Sequence, residues 1–486
     1  MTLIGLAGIL VGLGVLIAFA YRGWSVLLLA PLAALTAALF AREPLLAHWT
    51  ETFMRSAGAF LARFFPLFLL GALFGKLMED SGSVTAIARF MMQRLGKERA
   101  MLAVVLAGAL VTYGGVSLFV AFFVLAPMAQ ELFRGANIPR RLMPAAIVLG
   151  TSTFTMSALP GTPSIQNAIP MPFFGTTPFA APGLGILASL IMLAFGLWWL
   201  GRETMAAKRS GEDLGDGAPM PADRLAMDET LRERAVVARE FDPAEIVHGK
   251  ETDRSPPIAL AALPLVVVIA VNLAMSLFVL GALDMRYLAE PRFDVSLADV
   301  GGVWAVITAL ACAIVTVLAI NHRRLQTLRA TIDAGANAAV LPAVSVASLV
   351  GFGAVVAAMP AFAVVRDAVL GIGGGPLVSL AVATNVLAAL TGSASGGLTI
   401  ALDALGATYM ARAAEIGLDP GLLHRVAVIG SGTLDSLPHN GAVVTLLSVC
   451  GSTHHESYRD IVMVGIVGAM LALAAVIALG SIVGSF

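Results

Sequence analysis

The sequence predicts an all-α polytopic membrane protein built from two inverted repeats, each with a re-entrant hairpin and a broken transmembrane helix. Three observations lead there. Of the 486 residues, 58% are hydrophobic and only 13% charged, with a mean hydropathy of +0.89, whereas soluble domains carry roughly 25% charged residues. The charge is also concentrated. Nine Lys/Arg and thirteen Asp/Glu fall between Arg202 and Arg254, which leaves two apolar halves on either side of one polar segment. Each half then holds the same two interrupted apolar stretches in the same order.

A spanning helix needs roughly 20 apolar residues. Uninterrupted stretches of that kind lie at 3–20, 24–40, 57–78, 182–200, 256–282, 301–320, 335–359 and 461–483. The first begins without a basic leader or a cleavage site, so a transmembrane helix is expected there rather than a signal peptide. The interrupted stretches are 100–132 and 142–175 in the first half, and 376–410 and 422–449 in the second. TYGGVSLFV (112–120) and TMSALPGTPS (155–164) correspond to TGSASGGLTIAL (391–402) and TLDSLPHNGA (433–442). A shift of 278 residues superposes Thr155 on Thr433, Leu159 on Leu437 and Pro160 on Pro438, and a shift of 282 superposes Gly114-Gly115 on Gly396-Gly397. The repeated order indicates an internal duplication. The expected units are 1–201, a polar linker 202–255, and 256–486, with about ten full spans and two hairpins.

Orientation follows from Lys and Arg in the short loops. Arg94, Lys97 and Arg99 precede the TYGG stretch and Arg134, Arg140 and Arg141 follow it. Two basic flanks on one side of the membrane make the segment between them a re-entrant hairpin. The matching flank of the second half, 411–424, carries only Arg412, which suits the opposite side and hence an inverted repeat. Both termini are then periplasmic, and the linker is cytoplasmic together with NHRRLQTLR (321–329). A short amphipathic helix is expected over 226–240, or else a solvated connector.

Irregular backbone at membrane depth persists only inside protein or beside a wet cavity. Four matched breaks are therefore expected to converge on one midplane site. Half-helix N-termini there favour an anion such as a carboxylate, and small residues let it approach the backbone. The candidate substrate-binding residues are Gly114, Gly115, Ser117, Pro160, Gly161, Thr162, Ser164, Asn167, Ser393, Ser395, Gly396, Gly397 and Asn440. In the second half, Asp435 and His439 lie four apart and would share a face of a continuous helix. An intramembrane carboxylate or imidazole marks function by default, so both are candidates for proton coupling. The competing structural role for Asp435 is capping the broken helix or pairing with Arg425. The first half places Ser157 and Gly161 at the equivalent positions, with Thr162, Ser164, Gln166 and Asn167 as its polar groups. One half is thus expected to bind substrate and the other to carry the coupling ion. Arg366 and Arg425 lie near segment ends, so recognition is expected to rest on dipoles and hydroxyls.

DSLPHNGAVVTLLSVCGSTHHESYRDI (435–461) resembles the C-terminal signature of the gluconate permease (GntP) family within the broader ion-transporter superfamily. SALPGTPSIQNAIPMPFFGTTPFAAP (157–182) departs from the His-Pro-Gly-Pro-Thr type of loop in its proton–gluconate symporters. It is closer to a branch found beside ketone-body or hydroxy-acid metabolism. The resemblance implies a secondary transporter of organic acid anions driven by proton symport, and a homodimer with a moving transport domain. It places the substrate loops at 114–117, 160–164, 393–397 and 435–440. The departure at 161–164 points away from gluconate itself towards a smaller acid such as 3-hydroxybutyrate. The expected location is the bacterial inner membrane.

Other classes fit less well. The net charge of −1 lacks the basic surplus of a nucleic-acid binder. Cys312 and Cys450 both lie in apolar runs and read as buried small hydrophobes, not as a disulfide or metal site. No metal or cofactor is expected beyond the coupling proton. Sodium is the alternative coupling ion, held at the hairpin tips with 391–395 as its place. An intramembrane hydrolase using Ser436 or Ser431 with His439 lacks the strand-turn-helix oxyanion loop such chemistry uses.

Overall fold

The computed structural model describes residues 2–20, 22, 24–212, 232, 236, 242–252 and 254–486. The described secondary structure is entirely helical. The chain opens with α1 (Thr2–Ala20) and α2 (Val26–Ala41), which pack along each other. Next comes α3 (Met54–Asp80), entered without a break from a turn at Leu45–Ala47 and a π-helical stretch at His48–Phe53. Then follow α4 (Ser83–Leu95), α5 (Ala100–Tyr113), α6 (Leu118–Ala136), α7 (Met143–Thr151) and the single turns α8 (Phe154–Ser157), α9 (Ile165–Ala168) and α10 (Met171–Phe174). The first half closes with α11 (Pro182–Ser210). The second half comprises α12 (Ile258–Ala274), α13 (Leu297–Asn321), α14 (Leu328–Ala338), α15 (Val340–Ala358), α16 (Phe362–Leu370), α17 (Gly375–Thr391), α18 (Ala394–Ile416), α19 (Pro420–Thr433), α20 (Gly441–Val449), α21 (His454–Ile461) and α22 (Gly468–Val483).

Among the described residues, seven continuous helices are long and apolar enough to cross a membrane, and α1, α2 and α17 are shorter apolar helices. Every uninterrupted stretch read from hydropathy is a helix, but the ends differ. The third runs Leu45–Asp80 rather than 57–78, the seventh Leu328–Ala358 rather than 335–359, and the last His454–Val483 rather than 461–483. Hydropathy marks the lipid-matched part of a helix and stops at its polar tips, which continue as helix beyond it. For the same reason α11 extends to Ser210, into the segment expected to be linker.

The end of that linker is not simply solvated. Lys76 Nζ pairs with Glu79 Oε2 and Asp80 Oδ1, both at 3.1 Å, and donates to Ile246 O at 2.9 Å. Thr252 N donates to Asp80 O at 3.0 Å, and Asp242 N to Ala338 O at 2.9 Å. Residues 242–252 are thus tied to the ends of α3 and α14. The helix expected over 226–240 lies, apart from Arg232 and Val236, outside the described residues.

The two broken elements form the centre of the protein. All nine residues of α7 are buried, and so is α19 from Gly421 to Thr433. Helices buried on every face lie in a core rather than at a lipid boundary. Pairs of helices flank them: α5 beside α7, and α17 beside both α18 and α19.

Candidate functional site

The chain breaks where the sequence places Gly and Pro. Between α5 and α6, Gly115 takes φ +93, a conformation that strains any residue with a Cβ. Ser117 then caps α6, accepting from Phe119 N at 3.3 Å. After α7 the helix ends in the turn α8, and the loop 158–164 carries the chain to α9. Gly161 (φ +78) leaves no room for a Cβ, which would meet the Phe179 ring. Its N–H donates to Pro178 O at 2.8 Å, and its carbonyl accepts from Asn272 Nδ2 at 2.9 Å. Asn167 Nδ2 donates to Thr162 O and Pro178 O, both at 3.0 Å. Ser164 Oγ donates to Met156 O at 2.9 Å, and Tyr113 donates its hydroxyl to Pro160 O at 2.7 Å.

These elements enclose a cavity of about 80 Å³. Its walls are the Leu67–Ala72 face of α3, the break with Gly115 and Ser117, and the loop with Thr155, Ser164 and Gln166. Two polar atoms of this loop, Thr162 Oγ1 and Gln166 Oε1, are buried with no hydrogen-bond partner among the described residues. Buried polar groups are rarely left so, and each such group calls for an explanation. Gln166 lies on the cavity wall, and the N-terminus of the 19-residue α6 opens onto the same space. That combination suits a hydroxylated anion, because a helix N-terminus favours a carboxylate and an amide oxygen accepts from a donor such as a hydroxyl.

The second half is built differently. The helix breaks at Gly392 (φ +64), and Ser393 caps α18 by accepting from Gly396 N at 3.1 Å. Ser395 Oγ lies 3.3 Å from Ser393 Oγ. Asp435 sits in a 3-10 turn, Leu434–Ser436, after α19 ends at Thr433. It therefore shares no helix face with His439. Asp435 Oδ1 accepts from Ala394 N at 3.0 Å and Asn440 Nδ2 at 2.8 Å. The same Asn440 Nδ2 donates to Gly392 O at 3.0 Å, while Asn440 Oδ1 accepts from Ala442 N at 2.8 Å. His439, half-buried, holds Ala389 O at 3.1 Å through Nε2. Asp435 thus clamps the N-terminus of α18 to the loop of the neighbouring broken element.

Of the expected residues, Gly115, Ser117 and Ser164 line the cavity. Pro160, Gly161, Thr162 and Asn167 form the loop behind it, and Gly114 packs against Leu265. Ser393, Ser395, Asp435, His439 and Asn440 form a second cluster that does not line this cavity. Gly396 and Gly397 lie inside α18, past the break. A Cβ on Gly397 would run into the backbone of Ala388 in α17, so that glycine admits a neighbouring helix. The halves touch where Gly432 meets Ser157: a Cβ on the glycine would lie 3.2 Å from the serine Oγ.

Arg425 is not peripheral. Its side chain is fully buried and crosses to the first half, donating to Ala180 O through Nε (3.2 Å) and Nη2 (2.7 Å). His424 beside it holds Asn167 Oδ1 through Nε2 at 3.1 Å and Thr176 Oγ1 through Nδ1 at 2.6 Å. Asn167 Oδ1 can only accept, so His424 Nε2 carries the proton and Nδ1 accepts from the threonine. Neither role was visible from chain position, because a long side chain four or five residues inside a helix end can still reach the core.

Known proteins support the same class. The family model described as GntP family permease matches residues 1–172. The uncharacterized transporter YxjC of Bacillus subtilis (strain 168) is 39% identical over 486 residues, covering 98% of this chain and 98% of that protein. The high-affinity gluconate transporter of Escherichia coli (strain K12) is 34% identical over 104 residues, 21% of this chain and 23% of that protein. Among solved structures, Neisseria gonorrhoeae MtrF, of a class of antimetabolite efflux pumps, aligns with TM-score 0.52 at 15% identity over 90% of this chain and 83% of that one. The Alcanivorax borkumensis YdaH transporter aligns with TM-score 0.52 at 14% identity over 89% and 87%. These two likenesses extend to the fold alone. The chain is a multi-pass membrane transporter and belongs to the GntP permease family.

Proposed function

We propose that this permease is a secondary active carrier of small organic acid anions, such as 3-hydroxybutyrate or gluconate, across the bacterial inner membrane by proton symport. The observation that carries the reading is the first-half cavity, lined by both the N-terminus of α6 and Gln166, whose buried amide oxygen has no partner among the described residues. A gluconate transporter among its relatives supports the substrate class. At about 80 Å³ the cavity is smaller than the roughly 300 Å³ of the smallest usual ligand pockets. Loading therefore needs the loop or the α5–α6 pair to move, as alternating access between two inverted repeats supplies.

Asp435 is the proposed proton carrier. Protonation removes the charge that holds Ala394 N–H and Asn440. It thereby loosens the clamp between α18 and the broken element, and so couples proton binding to movement of the hairpin. His439, bonded to a backbone carbonyl of the same hairpin, is placed to assist. The functional unit is a homodimer with ten spans and two hairpins per chain and a cytoplasmic linker. A cysteine at Ser210 should then react with impermeant maleimide only from the cytoplasmic face.

The test is uptake of labelled 3-hydroxybutyrate and of gluconate into proteoliposomes, in sodium-free buffer with an inward proton gradient. Uptake that an uncoupler abolishes is expected. Uptake that appears only when sodium is added would transfer coupling to the hairpin tip at 391–395, and no uptake of any organic acid would refute the carrier reading.

A further inference from the structure

Arg425 is a fully buried guanidinium that forms no ion pair with any described residue. Of its five N–H donors, two go to Ala180 O, and Nη1 reaches Asn167 Oδ1 only at 3.5 Å. An N–H on each terminal nitrogen is left over. Lys76, the other buried cation among the described residues, is paired with Glu79 and Asp80. A charge buried without a partner is heavily penalised in a low-dielectric core. The penalty is relieved if the counter-ion arrives as cargo.

The position fits. A Cβ on Gly185 would lie 3.3 Å from Arg425 Nε and 3.2 Å from Pro160 Cγ. The guanidinium therefore backs onto the loop whose other side lines the cavity. A separate recess of about 470 Å³ is lined by Thr176, Thr177, Ala180 and Asp419 among others. Its wall includes Ala180, the residue whose carbonyl holds the guanidinium.

We infer that Arg425 pairs with the substrate carboxylate in the loaded carrier, exchanging Ala180 O for two carboxylate oxygens. The planar guanidinium matches a carboxylate through two parallel N–H bonds, which an ammonium cannot reproduce. The inference rests on the proposed carriage of organic acid anions. Wild-type uptake tests that reading by itself, and the Arg425 variants test the pairing.

Two measurements decide it. In proteoliposomes, Arg425→Gln keeps a donor for Ala180 O but loses the charge. Its KM should rise about tenfold or more, with Arg425→Lys between it and the wild type. In the wild type, the arginine reagent phenylglyoxal should modify Arg425, read by peptide mass spectrometry, and 3-hydroxybutyrate or gluconate, whichever is transported, should protect it. An unchanged KM in Arg425→Gln would overturn the inference. So would an Arg425 that never reacts, or that reacts equally with and without substrate, and this labelling decides the matter even if the variant fails to fold.

Discussion

The loops at the two breaks are built on different polar groups: the second carries a carboxylate and the first only neutral side chains. Around Asp435 the second-half loop is knitted together, with the carboxylate, Asn440 and Ser393 holding the backbone of the break. The first-half loop at 158–167 contains no charged residue, leaves Thr162 and Gln166 with unpartnered oxygens, and borders the cavity. The buried oxygens of the first-half loop have lost water without gaining a partner among the described residues, while a well-clamped carboxylate suits a switch.

Substitutions can break this contrast, and the largest effect is expected on the clamped side. Asp435→Ala removes the acceptor for two donors. It should abolish proton-driven accumulation and lower stability by about 1–3 kcal/mol, seen as a falling melting temperature of the purified protein. On the cavity side, Gln166→Leu should behave in the reverse sense. Uptake should fall about tenfold or more, while stability holds or rises by about 1 kcal/mol as an unsatisfied buried oxygen disappears. A loss of stability comparable to that of Asp435→Ala would mean that Gln166 is structural.

Gly161→Ala forces a Cβ against Phe179 at a positive φ. It should destabilise by about 1–3 kcal/mol and shift the ranking of 3-hydroxybutyrate against gluconate, because the loop must give way. An unaltered ranking in competition assays would remove this loop from substrate selection. The smallest effects belong to the caps. Ser393→Ala should lower stability by about 1 kcal/mol without changing substrate preference, and denaturation together with uptake kinetics would show any departure.

Much of this arrangement is written in the sequence. Gly and Pro clusters in apolar runs locate the breaks beside Gly115, Pro160, Gly392 and Pro438, since a helix cannot pass them unaided. Other features were hidden. A glycine reads the same whether it opens a turn, as Gly115 does, or admits a neighbouring backbone, as Gly397 does. The spacing of Asp435 and His439 suggests a shared helical face, but the helix has already ended at Thr433. Chain position says nothing about the direction of a long side chain, which is why Arg425, near a segment end, still reaches the core. Lys76, Glu79 and Asp80, at i, i+3 and i+4 on one helix, carry the spacing of a paired cluster.

The division of labour between the halves is tested most directly by separating accumulation from exchange. Asp435→Asn and Gln166→Leu would be reconstituted in sodium-free proteoliposomes. Uphill uptake under a proton gradient and substrate exchange at equal pH would then be measured for each. The account predicts that Asp435→Asn loses accumulation but exchanges with a wild-type KM, and that Gln166→Leu raises KM in both assays. Full accumulation by Asp435→Asn, or an unchanged KM in Gln166→Leu, would contradict it.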